Sequence, residues 1–346
     1  MKFLHTADWQ IGMKAVHAGK AGEKVREARF AAARRVVGIA REENVDFVVV
    51  AGDTFEDPAL STGVVQQAAE ILAAADRPVY IISGNHDPIG PGSVWEHSVW
   101  KNRKNLHVLS ECAPVETDSA ILFPCPLFEA HPSADPTAWI PPGVSSKPRI
   151  GIAHGTLAGI PDAERCAPIA ANAAERAGLV YLALGHFHST RIEADRRMAY
   201  SGTHEPARFG EQDSGNVLLV TIDGPARIEP RSTAQLTWRQ VVHTVARPED
   251  LDPLKNLPLG RRLLLQITLD GMLPPAGFTA LDELRESLAS KCLYCSVDAT
   301  RVRPESHAAE IPEGYFKLVE ERLRALLDDP QQGAVARRAL IELGRL

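Results

Sequence analysis

The segment at residues 47–51, Phe-Val-Val-Val-Ala, is apolar at every position. A half-exposed strand would alternate apolar and polar residues. An unbroken aromatic and β-branched run of this length suits a strand buried on both faces. Such strands belong to parallel sheets, whose neighbours must be joined by crossover connections, usually helices. The run therefore directs the chain towards an α/β architecture. Its surroundings agree. Residues 2–5 read as a first strand, 25–43 as a helix, 63–75 as a second helix and 78–83 as a further strand.

The middle of the chain changes character. Residues 106–109, 120–124, 150–153, 180–184, 198–201 and 217–222 read as strands, with 167–177 as a helix among them. This predicts a second sheet packed on the first. Residues 132–148 are rich in Pro and Ser and read as a surface excursion. A boundary falls near residue 237. Beyond it, strands are expected at 241–245, 262–269 and 293–299 and a helix at 281–290, a small α+β unit. Two amphipathic helices, 313–327 and 334–343, follow Pro312 and Pro330. The expected division is 1–237, 238–305 and 306–346.

Composition narrows the function classes. The 346 residues are 45% hydrophobic and 24% charged, which excludes a largely disordered chain. A net charge of −6 excludes a generally basic nucleic-acid coat; any contact with DNA must use a local patch or bound cations. Polar His5, Thr6 and Asp8 interrupt any apolar leader, and no run is long enough to span a bilayer. Five scattered cysteines fit a reducing compartment, so a cytoplasmic location is expected. Cys292 and Cys295 form one CxxC with no second pair, which is too few ligands for a structural zinc.

Five short motifs carry the chemistry: Asp8-Trp9-Gln10, Gly52-Asp53, Gly84-Asn85-His86-Asp87, His154-Gly155 and Gly185-His186-Phe187-His188. Each follows an expected strand, and the carboxyl ends of strands in α/β sheets are where ligands gather. Taken singly, each motif reads as a turn or an ordinary histidine. Taken together, they supply carboxylate, amide and imidazole donors, a mixture suited to Mn²⁺, Fe²⁺ or Zn²⁺.

In this order the motifs resemble the signature of the binuclear metallophosphoesterases: D-x-H, G-D, G-N-H-D/E, H and G-H-x-H. With residues 4–12, 51–55, 84–88, 181–188 and 200–203, the chain is similar more closely to SbcD-type DNA repair nucleases. The resemblance is clear over residues 1–230 and weak over 238–303, where that family has a cap domain. It implies a four-layered α/β/β/α metallophosphoesterase sandwich with a small α+β cap domain and C-terminal helices. It also implies two divalent metal ions, Mn²⁺ first among them. Asp53 would bridge the pair, Asp8 and His188 would hold the first ion, and Asn85, His154 and His186 the second. His86 would meet the scissile phosphate, Glu56 would orient His86, and Asp87 would support the site.

One residue departs from the pattern. Gln10 stands where the family has a ligand His. Three readings follow: Gln10 ligates through its oxygen, holds a metal-bound water, or marks a weakened site; His5 and His17 are nearby in sequence. DNA contact is expected from Lys101, Arg103 and Lys104 beside Trp95 and Trp100, and from Arg208, with Arg196-Arg197 and Arg261-Arg262 as further basic pairs. The implied partners are DNA and an SbcC-type coiled-coil ATPase docked on the C-terminal helices, with a homodimer also open and no membrane. The rival functions are hydrolysis of nucleotides or another small phosphodiester, and a weakly active or non-catalytic DNA-binding subunit.

Overall fold

The computed structural model describes residues 1–160, 166–304 and 314–343. Residues 306–313 and 344–346 of the expected tail, with Pro312 and Glu313, lie outside the described residues, as does the side chain of Ile341. The chain divides into two compact units, Met1–Leu236 and Thr237–Leu346.

The first unit runs β1 (Lys2–Thr6), α1 (Gly22–Glu42), β2 (Phe47–Ala51), α2 (Thr62–Ala73), β3 (Val79–Ile82), β4 (Leu106–Val108), β5 (Val115–Glu116), β6 (Ile121–Cys125), β7 (Arg149–His154), α3 (Ala173–Arg176), β8 (Tyr181–Gly185), β9 (Arg191–Ile192), β10 (Met198–Tyr200), β11 (Asn216–Ile222) and β12 (Ala226–Ser232). One sheet has the order β12-β11-β1-β2-β3-β4 and the other β5-β6-β7-β8-β10-β9. β1 to β4 are parallel, as are β6, β7, β8 and β10; the outer strands are antiparallel.

β2 shows why its sequence is apolar throughout. Val48 and Val50 face α1 and α2, joining Val36, Ala40, Val65 and Leu72. Phe47, Val49 and Ala51 face the other sheet, joining Ile150, Ile152, Tyr181 and Ala183. Phe3 stacks on Phe47 in that inter-sheet layer, with ring centroids 4.9 Å apart. Each large side chain buried there contributes roughly 1.5–3 kcal/mol. The outer face of the second sheet packs Leu182 and Leu184 against Ala173 and Ala174 of α3. The layers are therefore helix, sheet, sheet, helix.

Two sequence expectations fail here. The helix expected over 167–177 shrinks to Ala173–Arg176, because Ala167 takes a left-handed backbone (φ 44°) and Ile169 bridges to Leu157. β5, β9 and β12 are unforeseen, and β12 pairs along the whole of β11.

The second unit runs β13 (Thr237–Val245), α4 (Asp252–Lys255), β14 (Leu263–Leu273), α5 (Pro275–Lys291), β15 (Tyr294–Pro304), α6 (Tyr315–Ala325) and α7 (Gly333–Leu343). Its three strands lie parallel in chain order, and the segments holding α4 and α5 make the crossovers that parallel pairing needs. Leu265, Ile267, Leu269, Leu281, Leu284 and Leu288 form its core. The α6–α7 pair buries Leu327, Ala336 and Leu340 together, and Arg337 of α7 reaches buried Asp250 at 2.8 Å. α6 leaves Tyr315, Phe316 and Leu318 exposed. Among the described residues no helix is long and apolar enough to cross a membrane, and no disulfide forms.

Candidate metal centre

All five motifs lie at the carboxyl ends of strands, three on the first sheet after β1, β2 and β3 and two on the second at β7 and β8. Register places His154 beside Gly185. Backbone bonds then lock the loops. Asp8 N–H donates to the Gly52 carbonyl at 3.1 Å and Gln10 N–H to the Asp53 carbonyl at 2.9 Å.

The backbone there is strained. Asp8 (φ 54°), Gln10 (φ 41°), Asp53 (φ 49°) and His186 (φ 104°) all adopt positive φ without being glycine. Such conformations cost of order 1–3 kcal/mol each and persist only where their surroundings over-determine them. The glycines serve close approach. A Cβ on Gly84 would sit 2.1 Å from Asp53 Oδ1, and one on Gly52 (φ 89°) 2.3 Å from His154 Nδ1.

Ligand atoms of Asp8, Asp53 and His154 all lie within 4.8 Å of one another, and all three residues are buried. His154 Nδ1–H donates to the Ala51 carbonyl at 2.9 Å, which fixes the ring and turns Nε2 inward. That Nε2 lies 3.4 Å from Asp53 Oδ2 and 3.0 Å from Asn85 Oδ1. His186 Nδ1 also lies 3.0 Å from Asn85 Oδ1. Asp53 Oδ1 accepts from His86 N–H at 2.9 Å, and Asp8 Oδ1 from His186 N–H at 2.9 Å.

Asp8 Oδ2 has no hydrogen-bond partner, although it is buried. Burial, reinforced by repulsion from Asp53 and opposed by His154 and His188, raises the Asp8 carboxyl to about 6. A buried carboxylate oxygen left unpaired costs several kcal/mol unless a cation meets it. The orphaned oxygen and the converging Asp, Asn and His donors fit divalent cations.

The remaining expected residues divide. Gln10 is buried on the same loop, at 6% exposure. His188 Nδ1 pairs with Glu211 Oε1 at 2.7 Å. His86 Nδ1 faces the Glu56 carbonyl at 3.3 Å and the Glu56 carboxylate at 3.9 Å, so these two residues come together. Asp87 turns inward. Its oxygens accept the Gly84 and Phe55 N–H groups at 2.6 and 3.0 Å, so it ties two loops together and does not face a substrate. His5 does not compensate for Gln10, since both its ring nitrogens are engaged. His5 is sealed between Tyr181 and the Leu184 carbonyl, and His17 donates to the Ala207 carbonyl.

The expected aromatic and basic patch does not form. Trp95 and Trp100 are core residues at 8% and 5% exposure, packed on Phe55, and cannot stack on bases. Lys101, Arg103 and Lys104 precede β4, where the Asn105 carbonyl accepts from Val79 N–H at the start of β3. Arg103 and Lys104, next to that carbonyl, lie towards the opposite end of the sheet from the motifs, and Arg103 pairs with Glu70 at 3.5 Å. Arg208, by contrast, is near the centre, exposed and 3.5 Å from Glu211.

Two residues escaped the sequence reading. Arg29 of α1 is buried and donates to the carbonyls of Asp8, Trp9 and Glu205 and to the Thr203 hydroxyl. Glu211 lies outside every motif. Helical periodicity marks position 29 only as a helix residue, and nothing marks position 211.

A model of the calcineurin-like phosphoesterase family matches residues 1–190. The chain belongs to the calcineurin-like phosphoesterases. This family of hydrolases uses divalent metals, in keeping with the Asp8, Asp53 and His154 cluster. Two curated relatives come from Bacillus subtilis (strain 168). An uncharacterized metallophosphoesterase, YhaO, is 25% identical over 318 residues, 83% of this chain and 77% of the relative. The SbcD subunit of the nuclease SbcCD is 25% identical over 291 residues, 72% of this chain and 71% of the relative. Among solved structures, TT1561 of Thermus thermophilus is 11% identical with a TM-score of 0.45, covering 67% of this chain and 98% of its own.

Proposed function

We propose that this phosphoesterase is a DNA nuclease that hydrolyses phosphodiesters at a pair of divalent cations, with Mn²⁺ the first choice. The observation that carries the proposal is the convergence of Asp8, Asp53 and His154 ligand atoms within 4.8 Å at the ends of three strands. Asp53 would bridge the two ions. Asp8, Gln10 and His188 would hold the first, and Asn85, His154 and His186 the second. Cations held there would supply Lewis acidity towards the phosphoryl oxygens and the attacking water.

The chain's own residues do the rest. The His86 N–H donates to Asp53 Oδ1, so the ring would stand near ions that Asp53 held. With Nδ1 turned to Glu56, Nε2 is the nitrogen that meets the substrate; it protonates the leaving oxygen or stabilises its charge. Glu56 orients that ring, and Asp87 holds the loop beneath it. Arg208 offers a phosphate contact. DNA is favoured as substrate by the similarity to the nuclease subunit. The exposed Tyr315, Phe316 and Leu318 of α6 suit docking to an SbcC-type ATPase in the cytoplasm.

A nuclease assay with Mn²⁺ on single- and double-stranded DNA, run beside a small chromogenic phosphodiester, tests this. The wild type should cut DNA, and His86→Ala should cut about 10²–10⁴-fold more slowly. Equal cutting by both overturns the role of His86. Hydrolysis of the small diester alone overturns DNA as substrate.

A further inference from the structure

We infer that Glu211 is a positioning carboxylate that makes His188 a strong enough ligand to hold the first cation despite Gln10. The inference rests on the two-cation reading above.

The geometry is specific. Glu211 Oε1 lies 2.7 Å from His188 Nδ1, with the Glu211 side chain only 4% exposed. Its other oxygen accepts the Ala207 N–H at 2.8 Å, so the carboxylate is fixed from both ends. Arg208 lies 3.5 Å away, and the charge of buried Arg29 also reaches it. Both keep a buried negative charge compensated. With Nδ1 engaged, Nε2 is the ring nitrogen left to act as a ligand.

The chemistry supplies the reason. A carboxylate on the outer nitrogen of a metal-binding imidazole fixes its tautomer and raises the basicity of the inner nitrogen. Gln10 offers only a neutral amide oxygen where an imidazole would be the better donor for Mn²⁺. The first ion would thus lose donor strength at position 10 and regain it at His188. Glu211 sits on the loop between β10 and β11, outside all five motifs, and contacts the centre through His188.

Calorimetric titration of the metal-free full chain with Mn²⁺ tests this on four proteins: wild type, Glu211→Gln, Gln10→His and the double variant. The wild type should bind two ions. Glu211→Gln should keep one and weaken the other about 10–100-fold. Gln10→His should restore the lost ion in the Glu211→Gln background, a rescue that a purely structural role would not give. Thermal melting without metal should show all four folded. Two ions bound to Glu211→Gln with wild-type affinity, or no rescue by Gln10→His, overturns the inference alone. A wild type that binds no Mn²⁺ overturns the two-cation reading and this inference with it.

Discussion

His154 Nε2 stands 3.4 Å from Asp53 Oδ2, with both side chains sealed from solvent. Without a cation, these two groups compensate each other. Burial alone would lower the His154 imidazole, but the charge and hydrogen bond of Asp53, aided by Asp8, push it up to about 9. Burial would likewise raise Asp53, yet His154 and then His86 hold it down to about 2. In the metal-free chain this pairing favours a proton on His154.

The first prediction follows from that proton. A ligating imidazole must be neutral, so cation uptake displaces it. Below about 9, His154 is protonated in the metal-free chain, and each unit of rising pH favours the metal-bound form. Mn²⁺ affinity should therefore rise with pH between 6 and 9, by up to about tenfold per unit. Titration calorimetry in buffers of different ionisation enthalpy would count the released proton. Affinity independent of pH in this window contradicts the assignment.

Asp8 should show the cost of a site built for cations. Its carboxyl is raised to about 6 by burial and Asp53. A folded-state value above the unfolded one means that ionisation at neutral pH opposes folding. Asp8→Asn should therefore stabilise the metal-free chain by about 1–3 kcal/mol while weakening Mn²⁺ binding at least about tenfold. Urea unfolding with a chelator present reads the first effect, and calorimetry the second.

Arg29 holds the loop that carries Asp8 and Gln10. Its guanidinium donates to the Trp9 carbonyl at 2.9 Å and the Glu205 carbonyl at 2.9 Å, far from solvent. Arg29→Met would leave those carbonyls unpaired and the nearby carboxylates uncompensated. A loss of about 3–5 kcal/mol in urea unfolding is expected.

Two neutral buried histidines set the acid side of stability. His5 is pushed down to about 3 by burial, and His204 is lowered well below its ordinary value by burial and then by Arg29. Between pH 6.5 and 3 the unfolded chain binds protons that the folded chain excludes, so stability falls as pH falls. Each histidine contributes roughly 1.4 kcal/mol per pH unit once fully engaged. Unfolding midpoints at pH 7.5 and 5 should differ less in His204→Gln than in the wild type.

Much of this was legible in the residues. The apolar run at Phe47–Ala51 announced a strand buried on both faces, and its alternate side chains do enter two different cores. The five motifs announced the site as a set: each alone reads as a turn or an ordinary histidine, but five in order after expected strands supply a full complement of donors. Elsewhere tertiary pairing overrode local preference. The alanines after residue 166 favour a helix, but the Ile169–Leu157 bridge holds most of them extended or in turns. Trp95 and Trp100 resemble a stacking surface in sequence because cations follow them; three-dimensional packing on Phe55 makes them core. Glu211 was illegible because its partner His188 is distant in sequence, with β9 and β10 between them, and the loop that carries Glu211 has no period.

In the proposed centre Asp53 would join the two cations. The most direct measurement is the number of Mn²⁺ ions bound per chain by wild type and by Asp53→Asn, read by calorimetry on metal-free protein. Two ions in the wild type and neither held tightly by Asp53→Asn is the predicted result. Fewer than two ions in the wild type, or two undisturbed ions in Asp53→Asn, would contradict it.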